Sequence, residues 1–493
     1  MHAVSDMRRP GAAALVAVIA AIAALSVAVM ITIGDGLPST IAALTPLRAV
    51  AAVAFLILAV RFSSVGLPLL IMFVFLNLSE VLVRHHGFPS LLQMLVLALA
   101  FAAWLKRETA PLDEVLRLPL MILLLGFLLF SFFTTTLAVD PSVADARVIE
   151  LGKSTVLCLL AVLLMGDASR IATGARTLAV AATVLSIPPI IQFATGDFSG
   201  DFGGLARIKQ AHIYGSVFQP RIAGPLGDPN FFAQALLIPL PFMILVGATK
   251  ARREKLLWLG ASAIVLLTVM MTYSRGAMLA LAVMGALLWK TLHVSWKATL
   301  GVAALLLCVV LLLPATVTER VLTIEQIVNT ENASLHLDSS FEERRLLMQV
   351  AWIMFGENPL FGTGAGNYTV RYEDYIDRTG SAARQYEQAS ALHYPHNLLL
   401  ETAAESGIVG VVLFVSIVLF AWLAMRPSRL SPGSELLPIA TGFRIALVGF
   451  LVTSLFLHLA FPRYLYLLLA FAAALGRAAQ RSESELAPVA ADG

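Results

Sequence analysis

The sequence predicts an all-α bundle that crosses a membrane many times. Three observations carry that prediction: a shortage of charge, apolar blocks of spanning length, and basic residues gathered on one side of those blocks. Of the 493 residues, 59% are hydrophobic and 13% are charged, about half the 25% of an ordinary soluble domain. So few polar side chains could not cover a water-soluble fold of this length. The apolar blocks run for about 15 to 24 residues, enough to cross about 30 Å of hydrocarbon.

Candidate spans fall at 12–33, 46–60, 65–83, 90–105, 117–137, 148–165, 173–194, 230–248, 255–272, 275–289, 298–314, 407–425, 437–460 and 464–476. That is a polytopic bundle of about 12–14 spans. The first block follows Arg8 and Arg9 and is long for a cleaved leader, so it reads as the first span. With the N-terminus inside, the cytoplasmic loops collect Lys106, Arg107, Lys250, Arg252, Arg253, Lys255, Lys290, Lys297, Arg426, Arg429, Arg477 and Arg481. The opposite loops hold little beyond Arg48, Arg84, Arg147, Arg275 and Arg463. This asymmetry is the positive-inside pattern, and it places both termini in the cytoplasm. The net charge of +3 is only the sum of these segregated populations.

Composition then divides the chain. Residues 1–194 form an N-terminal bundle, 195–229 a first outer loop and 230–314 further membrane helices. Residues 315–406 form a large outer loop, 407–476 the last spans and 477–493 a polar tail expected to be disordered. The large loop is acidic, which long translocated loops tolerate. Inside it, Ser339 or Ser340 with Glu342 or Glu343 makes a capping box. The helix it starts has an apolar stripe at Leu346, Leu347, Val350, Ala351 and Met354, stops near Asn358–Pro359, and reads as resting on the membrane surface or the bundle. Cys158 and Cys308 lie in separate apolar blocks and read as small core residues, giving no disulfide or metal framework.

Three polar clusters fall at the outer membrane edge. In the first, Arg221 precedes Gly224-Pro-Leu-Gly227-Asp228-Pro229-Asn230, where Asp228 and Pro229 make a helix start whose amides could face an anion. An ordinary turn with a solvated arginine explains the same residues and leads on spacing alone. In the second, Tyr273-Ser274-Arg275-Gly276 joins two spans with almost no loop. Arg275 there either faces a cavity or snorkels to lipid phosphate, with nothing to separate the two. In the third, Tyr394-Pro395-His396-Asn397 opens a short helix on which Asn397, Glu401 and Glu405 share a face, ending or breaking at Gly407. His396 at its entrance could act as a general base, although a lone histidine is more often a surface hydrogen-bonding residue. The Gly362-Thr-Gly364-Ala-Gly366 stretch follows a helix and not a strand, so it reads as a tight turn and not as a dinucleotide fold.

Taken in order, these segments resemble the O-antigen ligase-related membrane proteins, a family of O-antigen ligases and polysaccharide polymerases. Arg221 through Phe232 is similar to the family's R-x-x-G…N/D-P-N motif, and Ser274-Arg275-Gly276 to its S-R-G motif. Trp352 through Gly364 resembles its W…PlfGxG segment, and His396 through Gly410 its HN…E.G..G segment. The resemblance covers roughly residues 210–425. It implies a GT-C type bundle with a periplasmic loop of short helices, and a metal-independent glycosyltransferase with no cofactor. Such an enzyme moves a glycan from an undecaprenyl-diphosphate carrier to a saccharide acceptor, either lipid A core or another lipid-linked glycan, at the periplasmic face of the inner membrane. The resemblance also implies roles: Arg221 and Arg275 on the diphosphate, and His396 on the acceptor hydroxyl. Asp228, Asn230, Tyr273, Asn397 and Glu401 would bind substrate or orient the catalytic groups. The expected partners are the donor, the acceptor and the bilayer, with no nucleic acid.

Two rival readings remain. A transporter or flippase of lipid-linked oligosaccharide places ionisable or helix-breaking residues near the bilayer midplane, whereas here the span centres are almost free of charge. A purely structural assembly protein has no need of Arg221, Arg275 and His396 together.

Overall fold

A computed structural model describes residues 63–88, 90–106, 109–214, 217–293, 339–379, 393–431 and 433–486. The expected spans at 12–33, 46–60 and 298–314, Cys308 and residues 487–493 of the expected tail lie outside these residues, while 477–486, expected to be disordered, continue the last helix. The described helices are α1 (Ser63–Phe75), α2 (Leu78–His86), α3 (Leu91–Lys106), α4 (Leu112–Leu116), α5 (Pro119–Thr134), α6 (Pro141–Leu164) and α7 (Ala168–Thr195). A hairpin of β1 (Arg207–Tyr214) and β2 (Val217–Gly224) follows. Then come α8 (Pro229–Leu237), α9 (Leu240–Thr249), α10 (Arg252–Met271), α11 (Arg275–Leu292), α12 (Ser339–Glu357), α13 (Tyr368–Ile376), α14 (Leu398–Ala424), α15 (Leu436–Ser454) and α16 (Pro462–Leu486).

Every expected span within the described residues falls mainly on helix, the last residues of 437–460 excepted. Among the described residues, seven helices or helix pairs are long and apolar enough to cross a membrane, or eight if the bent pair α1–α2 counts as one span. Exposed Leu97, Trp104, Leu129 and Phe132 form the kind of apolar surface that lipid covers. α6 and α16, at 24 and 25 residues, have the length to cross but carry charged residues. α16, expected only as a short span at 464–476, is apolar all round from Tyr464 to Leu475 and almost wholly buried. That makes it a central helix, packed on α6, α14 and α15.

Three boundaries matter for the site. α6 begins at Pro141 and not near 148, because Asp140 caps the Ser142 and Val143 amides. Arg147 is therefore a helix residue and not a loop residue. α15 stops at Ser454 and not near 460, which leaves 455–461 as an irregular loop. α14 starts at Leu398 and kinks at Gly407 (φ 61°, ψ −165°), the break expected there.

The first outer loop departs locally from the all-α expectation, since β1 and β2 pair antiparallel within it. Their turn back to the bundle, Gly224 to Gly227, reaches the break between α1 and α2. There Asn77 adopts a left-handed conformation (φ 55°) and donates to the Pro225 carbonyl at 3.2 Å. In the large loop, α12 buries the predicted residues Leu347, Val350, Ala351 and Met354 against Tyr368, Tyr372, Tyr375 and Ala404. It thus rests on α13 and α14 around a small core of its own.

Candidate active site

All three predicted clusters lie at the same end of the bundle, beside the hairpin and the large loop. The first is built on the start of α8. Asp228 accepts from the Asn230 amide at 2.8 Å and from the Phe231 amide at 3.4 Å, with Pro229 in the first turn. Its other carboxylate oxygen meets Lys209 Nζ at 3.2 Å. Burial works to raise the Asp228 pKa, but Lys209, the backbone amides and Arg221 outweigh it and hold the carboxylate below its ordinary range.

Arg221, on β2, is buried. It donates from Nε to the Thr272 carbonyl at 2.9 Å, and from Nη2 to Asn230 Oδ1 at 3.1 Å and the Tyr273 carbonyl at 3.5 Å. Those carbonyls close the C-terminal end of α10, where a cation is favoured. Tyr273 is left-handed (φ 51°) and buried, and burial raises its phenol pKa. Ser274 then caps α11 through the Ala277 amide at 3.4 Å. The chain reverses here in three residues, and Arg221 clamps the reversal from outside.

Arg275, the first residue of α11, lines a cavity of about 850 Å³. Leu279, Met348, Trp352, Ile353, Leu400 and Phe456 give this cavity apolar walls, and Arg344, Arg345 and Arg378 give it basic ones. Neither Arg221 nor His396 lines it. The three side chains therefore do not line this cavity together. Arg275 faces the cavity, Arg221 fixes the turn that carries Arg275, and His396 stands in the adjoining loop.

His396 is left-handed (φ 46°), a costly conformation for this residue that its neighbours enforce. Asn397 caps α14 through the Leu400 amide at 3.0 Å and donates to the Leu455 carbonyl at 3.2 Å. The His396 ring meets His458 edge-on at 5.6 Å, and His458 stacks flat on Tyr394 at 4.0 Å and edge-on to Phe231 at 5.1 Å. Nδ1 of each imidazole is buried without a hydrogen-bond partner among the described residues. Burial first and Arg344 second push the His396 pKa down to about 4, with Lys209 adding to the fall and Asp228 opposing it. Burial, His396 and Arg147 bring His458 to about 3. Both rings are therefore neutral at neutral pH, and His396 is a weaker base than its ordinary pKa implied.

Glu401 is buried and accepts from Arg147 at 3.3 Å and from the Leu459 amide at 2.8 Å, so it ties α6 and the His458 loop to α14. Glu405, on the same face, accepts from the Gly366 and Tyr368 amides. The glycine-rich turn thus cradles a carboxylate of its own chain. Gly362 and Gly407 are both at positive φ, and a Cβ on either would sit 2.3 Å from backbone of the other segment. That close approach lets Thr363 and Gly364 hydrogen-bond the Ala404 and Glu405 carbonyls at 2.9 and 3.0 Å.

Sequence reasoning did not single out Arg147, Arg344, Arg345, Arg378 or His458. The Arg344-Arg345 pair beside the capping box was the available signal for two of them.

These features define a class: a polytopic membrane protein with an arginine-lined cavity and a neutral histidine at one end of its bundle. Residues 260–415 match the family model described as O-antigen ligase. An O-antigen ligase of Salmonella typhimurium (strain LT2) is 29% identical over 189 residues, which cover 37% of this chain and 43% of that relative. The aligned stretch thus spans less than half the length of the curated relative. Both matches support a likeness to the O-antigen ligase-related family over that part of the chain.

Proposed function

We propose that this protein transfers a glycan from an undecaprenyl-diphosphate carrier to a saccharide acceptor, without a metal and with inversion at the anomeric carbon. The loop-bearing end faces the periplasm and both termini face the cytoplasm of an inner-membrane protein. One observation supports this above the others. Arg275 opens onto an apolar, basic cavity at the end of the bundle, where a lipid-linked anion can lie with its chain in the bilayer and its glycan in water.

The donor is already activated, so the barrier lies in separating the sugar from its diphosphate. The acceptor hydroxyl oxygen bonds to the anomeric carbon on the face opposite the leaving group, and the bond from that carbon to the diphosphate oxygen breaks. Arg275 stabilises the charge that collects on the diphosphate. Arg221 keeps Arg275 aimed through the Thr272 and Tyr273 carbonyls, and joins the diphosphate by its charge. His396 takes the acceptor proton. A weak neutral base suffices, because the hydroxyl becomes strongly acidic as its oxygen bonds to the electron-poor carbon. Asp228, Asn230 and Asn397 hold the segments that carry Arg221 and His396, and Glu401 holds the loop beside them.

The test is purified protein in nanodiscs with a polyprenyl-diphosphate oligosaccharide and two acceptors, lipid A core and a second lipid-linked glycan. Product on the core marks a ligase, chain extension marks a polymerase, and His396→Gln should abolish either. Movement of lipid-linked glycan across vesicles with no transfer product would overturn the enzyme reading in favour of transport.

A further inference from the structure

The end of the bundle opposite the loops has a pocket of its own, of about 290 Å³. The last turn of α14, the first turn of α5 and one face of α16 form it. Arg426 and Arg429 line it beside Leu118, Leu120, Phe420 and Leu423, and no acidic side chain among the described residues lines it with them. Glu114, at the same basic end, is already paired with Arg481 at 2.8 Å and Arg477 at 3.9 Å.

The chain holds the two arginines in place. Met425, which closes α14, is buried, and Pro427 opens a short 3₁₀ turn over Pro427–Arg429. In it the Arg429 amide donates to the Arg426 carbonyl at 3.2 Å and the Leu430 amide to the Pro427 carbonyl at 3.1 Å. Buried Leu430 pins the far side. Both guanidinium groups therefore come off one fixed turn into one pocket, which is more than two side chains snorkelling separately to water. Behind them α14 and α16 approach closely, for a Cβ on Gly476 would sit 2.8 Å from that of Ala424.

The walls select the occupant. Paired guanidinium groups suit a phosphate, and a space of this size takes a headgroup and not an oligosaccharide. The apolar lining also continues outwards. Phe420 is itself partly exposed, and α5 and α14 expose Ile122, Val415 and Leu419 farther into the span. Acyl chains cover such a surface, and a free phosphate gains nothing from it.

We propose that this pocket binds an acidic phospholipid, with Arg426 and Arg429 on its phosphate and its acyl chains along α5 and α14. The lipid joins three helices that are far apart in the chain, so its binding stabilises the folded bundle by mass action. The site uses no residue of the candidate active site and does not depend on the glycan-transfer reading.

The experiment uses the full purified chain with phosphatidylglycerol or phosphatidylcholine of the same acyl chains. Retained lipid is counted by native mass spectrometry, and thermal midpoints are measured in nanodiscs of each lipid. The wild type is expected to retain phosphatidylglycerol with at least about tenfold preference and to melt higher in it. Arg426→Gln with Arg429→Gln should lose both effects and melt like the wild type in phosphatidylcholine, which separates a lost lipid from a damaged fold. Arg429→Lys, which keeps the charge, should keep part of the preference. Arg117→Gln, an exposed arginine of the same end that does not line the pocket, should keep all of it. Equal retention of the two lipids by the wild type overturns the site. So does a preference that survives the double variant, or one that Arg117→Gln removes equally, since either marks a diffuse surface charge. Equal protection of detergent-solubilised protein by glycerol phosphate alone overturns the lipid assignment in favour of a soluble anion.

Discussion

Arg221 and Arg477 lie at opposite ends of the bundle and make the same kind of contact. Each is buried, and each donates to carbonyls at the end of a helix. Arg221 meets Thr272 and Tyr273 at the end of α10, and Arg477 meets Met165 and Gly166 at the end of α6, at 2.9 and 2.7 Å. Their surroundings differ. Arg477 stands beside exposed ion pairs such as Arg481–Glu114 at 2.8 Å, away from the cavity. Arg221 braces the turn that delivers Arg275 into the cavity. A buried arginine is therefore not in itself a catalytic sign, and its distance from a cavity decides what its loss does.

The comparison orders the expected effects. Arg275→Ala should leave the thermal midpoint nearly unchanged and lower the transfer rate by about 10²–10³-fold, as loss of one transition-state donor does. Arg221→Ala should lose both stability and transfer, whereas Arg477→Ala should lose about 2 kcal/mol of stability and keep its turnover per folded molecule. Equal loss of turnover in the two would erase the distinction. Next comes pH. His396 and His458 are held neutral, with folded pKa values of about 4 and 3 against an ordinary 6.5. The unfolded chain takes up protons first, so their contribution is complete above pH 6.5 and drains away as pH falls towards 4. Thermal midpoints from pH 8 to pH 4 should show that slope, and His458→Phe, which keeps a stacked ring, should flatten it. The smallest effect belongs to Glu114→Gln at the basic end, expected to cost under about 1 kcal/mol because its ion pair is exposed.

The sequence reading placed the spans well because lipid demands long apolar runs, and those runs are local. What it missed depended on where helices begin and end. Arg147 fell outside a span counted from 148, and only the Asp140 cap places it seven residues into α6, within reach of Glu401. His458 disappeared into an apolar window that ran on to 460, although the helix stops at Ser454. The hairpin gave no signal strong enough to compete with the helical pattern. Arg344, Arg345 and Arg378 were averaged into an acidic loop, and only the fold of α12 on α13 shows that they share a wall. Arg221, Arg275 and His396, read from the sequence as lying at the outer membrane edge, stand at one end of the bundle. Their division of labour required the hydrogen bonds that tie Arg221 to the backbone.

The most direct test of the central claim is where a donor lies when it binds. A polyprenyl-diphosphate oligosaccharide with a photoreactive group on its first isoprene units can be crosslinked to the nanodisc-embedded protein and the labelled peptides sequenced. Label should concentrate on α11 and α12 around Leu279, Met348 and Trp352, and should fall sharply in Arg275→Ala. Label gathered instead at the basic end, around Arg426 and Arg429, or spread evenly along the bundle, would contradict a donor site at the loop-bearing face.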